Sequence, residues 1–350
     1  MASLTETAYL TRRAINWAIL TVIAYVILRF LWGIFLSLWL TVFPPKPPPP
    51  NHAFGKLPTL AFPTPSASPS GQLVFRLETI EGSVPRASES AAVYFMPKSP
   101  PNFLGIPKTQ EFAKRLGLDP TPIAESKNIY RFQDPDTPLR RLRYDIVSNN
   151  FILRYEFGLD TELFPSQNLP LPDAAIAEAR SMLQTHDLYQ EDYVGGEVNT
   201  AFLKLIGNQL VTTSAASGAD AIRVDFFRKL IGQMRVLSPT PDQAPISFIL
   251  SGSRDNKKRI LQLAYTYWPV DYKTFATYSL RTSLAAWQDL QSGNGYIARY
   301  PTGTTVVVRN IYLAYYDSLE AQTYLQPIFV FEGDGGFLGY VPAVNSDWIE

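Results

Sequence analysis

The chain contains no cysteine. Disulfides, thiol nucleophiles and thiolate metal sites are therefore excluded at the outset. A domain without cysteine is at ease in an oxidising compartment, where unpaired thiols are a liability. Histidine is nearly as scarce: only His52 and His186 occur, so no paired-histidine metal motif can be built. Neither sign of charge prevails, since 31 basic side chains balance 31 acidic ones. The clustered basic excess that nucleic-acid binding needs is missing. There is no Asn-x-Ser/Thr sequon, no Gly-x-Ser-x-Gly elbow and no Ser-x-x-Lys pair, so the common serine-hydrolase signatures are absent as well.

What is present begins with a long apolar run at residues 14–43, AINWAILTVIAYVILRFLWGIFLSLWLTVF. About 20 apolar residues span a bilayer. The run is longer than the 7–15 apolar residues of a cleaved leader, and bulky Trp39, Leu40 and Phe43 precede its end where a small-residue cleavage site would stand. A retained transmembrane helix is expected. Arg12 and Arg13 flank its start, against Lys46 and the more distant Lys56 beyond its end. This positive-inside bias points to a cytoplasmic tail at residues 1–13 and an extracytoplasmic remainder. Arg29 lies inside the run. It snorkels if the bilayer holds only residues 24–43. Alternatively, Tyr25, Arg29, Gly33 and Ser37 recur every four residues on one face, and the Gly33/Ser37 small pair lets a second membrane helix approach. The membrane, and a membrane-protein partner for this face, are the expected partners.

Residues 44–71 carry ten prolines between Pro44 and Pro69. Such a density favours extended polyproline II and predicts a stalk. The remainder is 46% hydrophobic and 13% aromatic over the whole chain, enough for a packed core rather than disorder. Alternation predicts strands at 73–77, 91–95, 128–132, 142–147 and 151–157, the last two joined through Ser148-Asn149-Asn150. Helices are expected at 108–116, stopped by Gly117, and from Asp173 onward. These make a first α+β unit, 72–190. A second, 191–350, has strands at 201–206, 210–213, 221–227, 245–250, 259–267, 304–316, 325–331 and 337–344. It has one helix at 283–291 ending at Gly293. The fold class is α+β, with mostly antiparallel sheets and one or two helices packed on each. The turn 332–336, Glu-Gly-Asp-Gly-Gly, requires glycine for φ > 0 at Gly333, Gly335 and Gly336.

The tail reads IYLAYY at 311–316, YLQPIFVFEG at 324–333 and GYVPAV at 339–344, preceded by the helix SLAAWQDLQSG at 283–293. This pattern resembles the closing hairpin of YycI/YycH-type regulatory proteins and related PepSY-like extracytoplasmic domains. The resemblance covers about the last 70 residues, and the plan of a short N-terminus, one span and outer α+β modules agrees with it. It implies a non-enzymatic role, binding a sensor kinase through membrane and outer domains. The proline stalk and Arg29 depart from that pattern.

Chemistry-bearing groups are few. Gly293-Asn-Gly-Tyr-Ile-Ala298 matches Gly-x-Gly-x-x-Ala, but it follows a helix and precedes a strand, the reverse of a pyrophosphate site. The acids Asp134/Asp136, Glu191/Asp192 and Glu332/Asp334 are spaced as exposed turns, with a carboxylate-dependent hydrolase as the alternative. His186 reads as a helix-end residue. No catalytic residue, cofactor or metal ligand is assigned. The aromatics Tyr265, Tyr267, Trp268 and Tyr272, continued by Phe275 and Tyr278, are the candidate recognition surface, with sheet-core packing as the alternative. The expected function is a membrane-anchored, extracytoplasmic binding or regulatory module. A cell-wall glycan- or peptide-binding module is the second reading and the hydrolase the third.

Overall fold

The computed structural model describes residues 4–42, 49–64, 73–98, 104–164 and 168–350. The chain divides into two compact units, Met1–Pro48 and Pro49–Glu350.

The first unit is the helix α1 (Leu4–Val42). Its stretch Arg12–Trp39 has a mean hydropathy of 2.3 and no buried share, so it is long and apolar enough to cross a membrane. The helix starts earlier than the apolar run because residues 4–13 contain neither glycine nor proline to stop it. The expected tail at 1–13 is therefore helical from Leu4. The prolines at 44–48 and the later linker at 65–72 lie outside the described residues.

The second unit begins inside the expected stalk. Residues 49–64 are not a free polyproline spacer but part of the folded body. Leu57 is fully buried and Leu60 nearly so. The Leu57 amide donates to the Trp348 carbonyl at 2.8 Å, and the Glu350 amide donates back to the Leu57 carbonyl at 2.9 Å. His52 stacks on Trp348 at 3.7 Å. Proline density predicts extended backbone, and extended backbone with apolar side chains between its prolines can also lie along a sheet edge.

The strands are β1 (Val74–Leu77), β2 (Ser90–Phe95), β3 (Ile123–Ala124), β4 (Ile129–Gln133), β5 (Arg140–Asp145) and β6 (Phe151–Tyr155). Then come β7 (Val198–Ile206), β8 (Gln209–Thr213), β9 (Ala221–Phe226), β10 (Val236–Leu237), β11 (Ile246–Ser251) and β12 (Ile260–Tyr265). The last are β13 (Asp271–Ser279), β14 (Tyr296–Arg299), β15 (Thr305–Tyr316), β16 (Tyr324–Leu325), β17 (Pro327–Gly333) and β18 (Leu338–Pro342). The helices are α2 (Gly105–Arg115), α3 (Pro172–Thr185), the single turn α4 (Asn256–Arg259) and α5 (Ser283–Gln291).

Nine strands form one antiparallel sheet in the order β3-β4-β5-β6-β12-β11-β9-β7-β8. α2 and α3 cover one face. Phe112, Ala113 and Leu116 from the first helix region, with Ala175, Ala179 and Leu183 from α3, meet Phe132, Leu153, Val224 and Phe248 of the sheet. Each set recurs at three- or four-residue spacing, which puts it on one side of its helix. The second sheet runs β1-β15-β17-β18-β14, with β10 also on β15, and a three-stranded sheet runs β13-β2-β16. β17 shows why its sequence is continuously apolar. Phe329 and Phe331 join the core containing Trp287 of α5, while Ile328 and Val330 join the core on the opposite face. Alternate residues thus enter two different cores.

The architecture is α+β, as expected. The division at residue 190 is not where the sheets part. Strands from both sides of it, β6 and β12 among them, lie side by side in the nine-stranded sheet. β1 and β2, from the expected first unit, pair instead with β15 and β13 near the C-terminus. Residues 104–265 are inserted between two chain segments that build the smaller sheets together, with β10 alone crossing over. Alternation marks strands, but says nothing about partners far away in sequence.

The closing hairpin forms as expected between β17 and β18. Gly335 and Gly336 take φ of 66° and 76°. Gly333 does not: its φ is −140°. Its requirement is space, because an added Cβ would sit 2.5 Å from the Val307 carbonyl oxygen.

Candidate functional site

The residues singled out on α1 share a face, as four-residue spacing dictates. Arg29, Gly33 and Ser37 line one shallow groove with Val26, Phe30, Ile34 and Leu38, and Tyr25 is exposed one turn before it. Nothing lies within 4 Å of where a Gly33 Cβ would stand.

The middle of the aromatic run, Tyr267, Trp268, Tyr272 and Phe275, gathers at the junction between the inserted sheet and the smaller sheets. At its centre is Arg228, just past the end of β9 and 4% exposed. Its Nε donates to Asp317 Oδ2 at 2.8 Å, its Nη1 donates to Asp192 Oδ2, and its Nη2 donates to the Trp268 carbonyl at 2.5 Å. Asp192 belongs to a 3-10 turn at Glu191–Tyr193, and Asp317 follows β15. One guanidinium therefore ties together three chain segments that are far apart in sequence. Its ring neighbours are Tyr267, with the guanidinium carbon 5.1 Å from the ring centre, and Tyr193 at 5.5 Å. Burial opposes the charge on Arg228, but Asp317, Tyr193 and Asp192 outweigh it and hold the pKa well above the ordinary arginine value.

Tyr267 donates its hydroxyl to Asp192 at 3.2 Å. Burial first, and then the charge of Asp192, push the phenols of Tyr267 and Tyr272 far up, so both stay neutral. Backbone geometry supports the cluster. Gly196 passes so close to the next strand that an added Cβ would collide with the Phe227 carbonyl oxygen at 2.1 Å. A cavity of about 300 Å³ beside it is lined by Gly196, Glu197, Arg228, Leu230 and Arg235.

Of the four aromatics expected at the surface, Tyr265 is not there. It is 4% exposed, stacks on Phe151 at 5.1 Å and donates its hydroxyl to the Leu188 carbonyl. Its position in β12 points it at α2 and α3, on the sheet face opposite to solvent. Tyr267, Trp268 and Tyr272 are partly exposed. Tyr267 and Trp268 follow the end of β12, where the alternation that buries Tyr265 no longer applies, and Tyr272 lies near the start of β13. Trp268 packs with Val270, Ile231, Met234 and Tyr94 over Met96 and Val236. Tyr94 meets Tyr272 edge-on at 5.7 Å and Phe275 at 5.9 Å, and Phe275 is 47% exposed. The result is a partly exposed aromatic patch on a base fixed by Arg228. Tyr278, at the far end of the run, is fully buried.

Arg228, Asp317 and Tyr193 had no part in the sequence-based site. A signal for Arg228 is present: it directly follows the strand expected at 221–227, and a charge at the end of a strand buried on both faces must find a buried partner.

Of the paired acids expected in exposed turns, Asp134 and Asp192 are instead buried and ion-paired, while Glu191 is exposed. Asp134 and Asp136 share Lys257, at 2.9 and 2.7 Å. Glu332 accepts from the Tyr312 hydroxyl at 2.6 Å, and Asp334 pairs with Arg309 at 2.7 Å. His52 approaches Ser279 Oγ at 3.2 Å, and His186 sits edge-on to Phe112. Among the described residues no group of three or more potential ligands gathers as a metal site. The arrangement is a set of partly exposed aromatic faces beside a buried, ion-paired guanidinium.

No family model matches the chain, and no curated protein matches it. The crystal structure of an uncharacterized protein from Eubacterium rectale is similar to it at 12% identity. That similarity covers 72% of this chain and 81% of that chain, with a TM-score of 0.39.

Proposed function

We propose that the chain is a single-pass membrane protein whose body, Pro49–Glu350, lies on the extracytoplasmic side and binds a partner protein there. In this reading it regulates that partner without chemistry of its own. The observation that carries it is the patch of Tyr94, Trp268, Tyr272 and Phe275. These rings are left partly exposed beside a cluster that fixes them in place. Aromatic anchors on a rigid base are what interface hot spots are made of. The exposed apolar helix supplies the tether. The YycI/YycH-type reading, with a sensor kinase as the partner, fits the same plan of one span followed by an α+β body. In it, the Arg29, Gly33 and Ser37 face of α1 makes the intramembrane contact.

The test is a photo-crosslinking amino acid placed at Phe275 of the full chain in native membranes. One discrete protein adduct is expected, and it should fall at least about tenfold with Trp268→Ala, an anchor loss of the 2 kcal/mol class. Inserted, abundant chain that yields no protein adduct, or adducts to glycan alone, would overturn the reading.

A further inference from the structure

The covered face of the nine-stranded sheet is not closed throughout. Between α3, the end of α2 and α4 lies a cavity of about 410 Å³, which shares no residue with the aromatic patch. Its size falls within the roughly 300–1,000 Å³ of small-molecule sites. The apolar part of its lining comes from Met182, Ala179, Phe248 and Leu250. The polar part is unusual, with Arg115, Arg140 and Arg259 against one carboxylate, Glu178.

These three guanidiniums are not equally occupied. Arg259 is saturated: Nε and Nη2 donate to Glu178 at 2.9 and 2.7 Å, and Nη1 donates to the Ser251 carbonyl at 2.8 Å. Arg140 is 6% exposed; its Nη1 donates to the Leu116 carbonyl and to Asp134, while its Nε has no partner. Asp134 is itself already shared with Lys257. Arg115 lies over the Phe112 ring at 5.8 Å and has one loose ion pair, 3.7 Å from an Asp187 that is 89% exposed. His186 lies on the same wall with a buried Nδ1 that has no partner. Burial, and then the charge of Arg115, hold its pKa below the ordinary 6.5, so near neutrality the ring is uncharged and can accept or donate. The cavity therefore presents an apolar floor, one weakly engaged guanidinium, one buried unpaired guanidinium nitrogen and a neutral imidazole.

We propose that this cavity binds a small organic monocarboxylate, with its apolar body on Met182, Phe248 and Leu250 and its carboxylate on Arg115 beside Arg140 and His186. A carboxylate is favoured over a phosphate ester because Glu178 stays in the wall and repels a second negative charge. A neutral ligand would leave the buried Arg140 Nε without an acceptor and Arg115 with no charged partner inside the cavity.

The test uses the full chain in nanodiscs, with 4-phenylbutyrate as the probe and its neutral amide as the comparison, read by saturation-transfer NMR. A saturable signal from the carboxylate is expected over empty nanodiscs, with binding about tenfold weaker for the amide. Arg115→Gln should weaken the carboxylate about tenfold and leave the amide unchanged, because only the charged contact is lost. Met182→Trp, which fills the floor, should abolish both signals while the melting temperature holds. A carboxylate signal no greater than that of empty nanodiscs, or one equal in wild type and Arg115→Gln, would overturn the proposal. So would a signal that survives Met182→Trp.

Discussion

Replacing Arg228 by leucine is expected to remove about 4–5 kcal/mol of the body's stability. The substitution leaves Asp192 and Asp317 buried, at 6% and 3% exposure, with no cation between them. Breaking a buried ion pair by removing one partner costs about 3–5 kcal/mol. Here one guanidinium serves two carboxylates and a backbone carbonyl, so the upper part of that range applies. Native domains have about 5–15 kcal/mol in total. Arg228→Lys should fail almost as badly, because an ammonium cannot present the planar fork that reaches all three acceptors. The triple change Arg228→Leu, Asp192→Asn, Asp317→Asn should recover much of the loss, since it removes the unpaired charges along with their partner. Urea unfolding followed by near-ultraviolet circular dichroism would show this. A wild-type midpoint for Arg228→Leu would make the cluster a bystander and leave the aromatic patch without a fixed base.

The second large effect concerns the segment expected to be a stalk. A fragment of residues 49–350 should fold alone, whereas 73–350 should not. The shorter fragment loses two buried leucines, Leu57 and Leu60, each contributing about 1.5–3 kcal/mol. It also orphans buried donors. The Gln326 side chain donates to the Pro58 carbonyl at 2.9 Å, and the Tyr278 hydroxyl donates to the Gly55 carbonyl at 2.8 Å. Each buried donor left unpaired costs about 1–3 kcal/mol. Together these losses are on the order of 5–10 kcal/mol, comparable with a whole domain's stability. Dichroism and solubility of the two fragments check it. Equal melting would mean that residues 49–64 rest on the body without supporting it.

The elements themselves were readable because each leaves a local mark. The Ser148-Asn149-Asn150 turn appears with Asn149 at φ 62°, and α5 ends where Gly293 takes φ 82°. Thr282 caps α5, its hydroxyl accepting from the Ala285 amide at 3.1 Å. Pairing was not readable, because β1 meets β15 across more than two hundred residues, and no local pattern encodes such a partner. The stalk shows the same limit. Its prolines dominate the composition, and the buried role of Leu57 emerges only when the C-terminus returns to Trp348 and Glu350. At the site, the aromatic run was visible but its sorting was not. Tyr265 and Tyr267 are two residues apart, yet one lies under the helices and the other reaches Asp192, because β12 ends between them.

The proposed extracytoplasmic side of the body is directly measurable, because the sequence has no native cysteine. Single cysteines would be placed at exposed Ser214 in the body and at Ser3 near the N-terminus, and treated with a membrane-impermeant maleimide. On the proposed topology Ser214→Cys is labelled on intact cells and Ser3→Cys only after lysis, with both chains remaining in the membrane fraction. Labelling of position 3 and protection of position 214 on intact cells would contradict it.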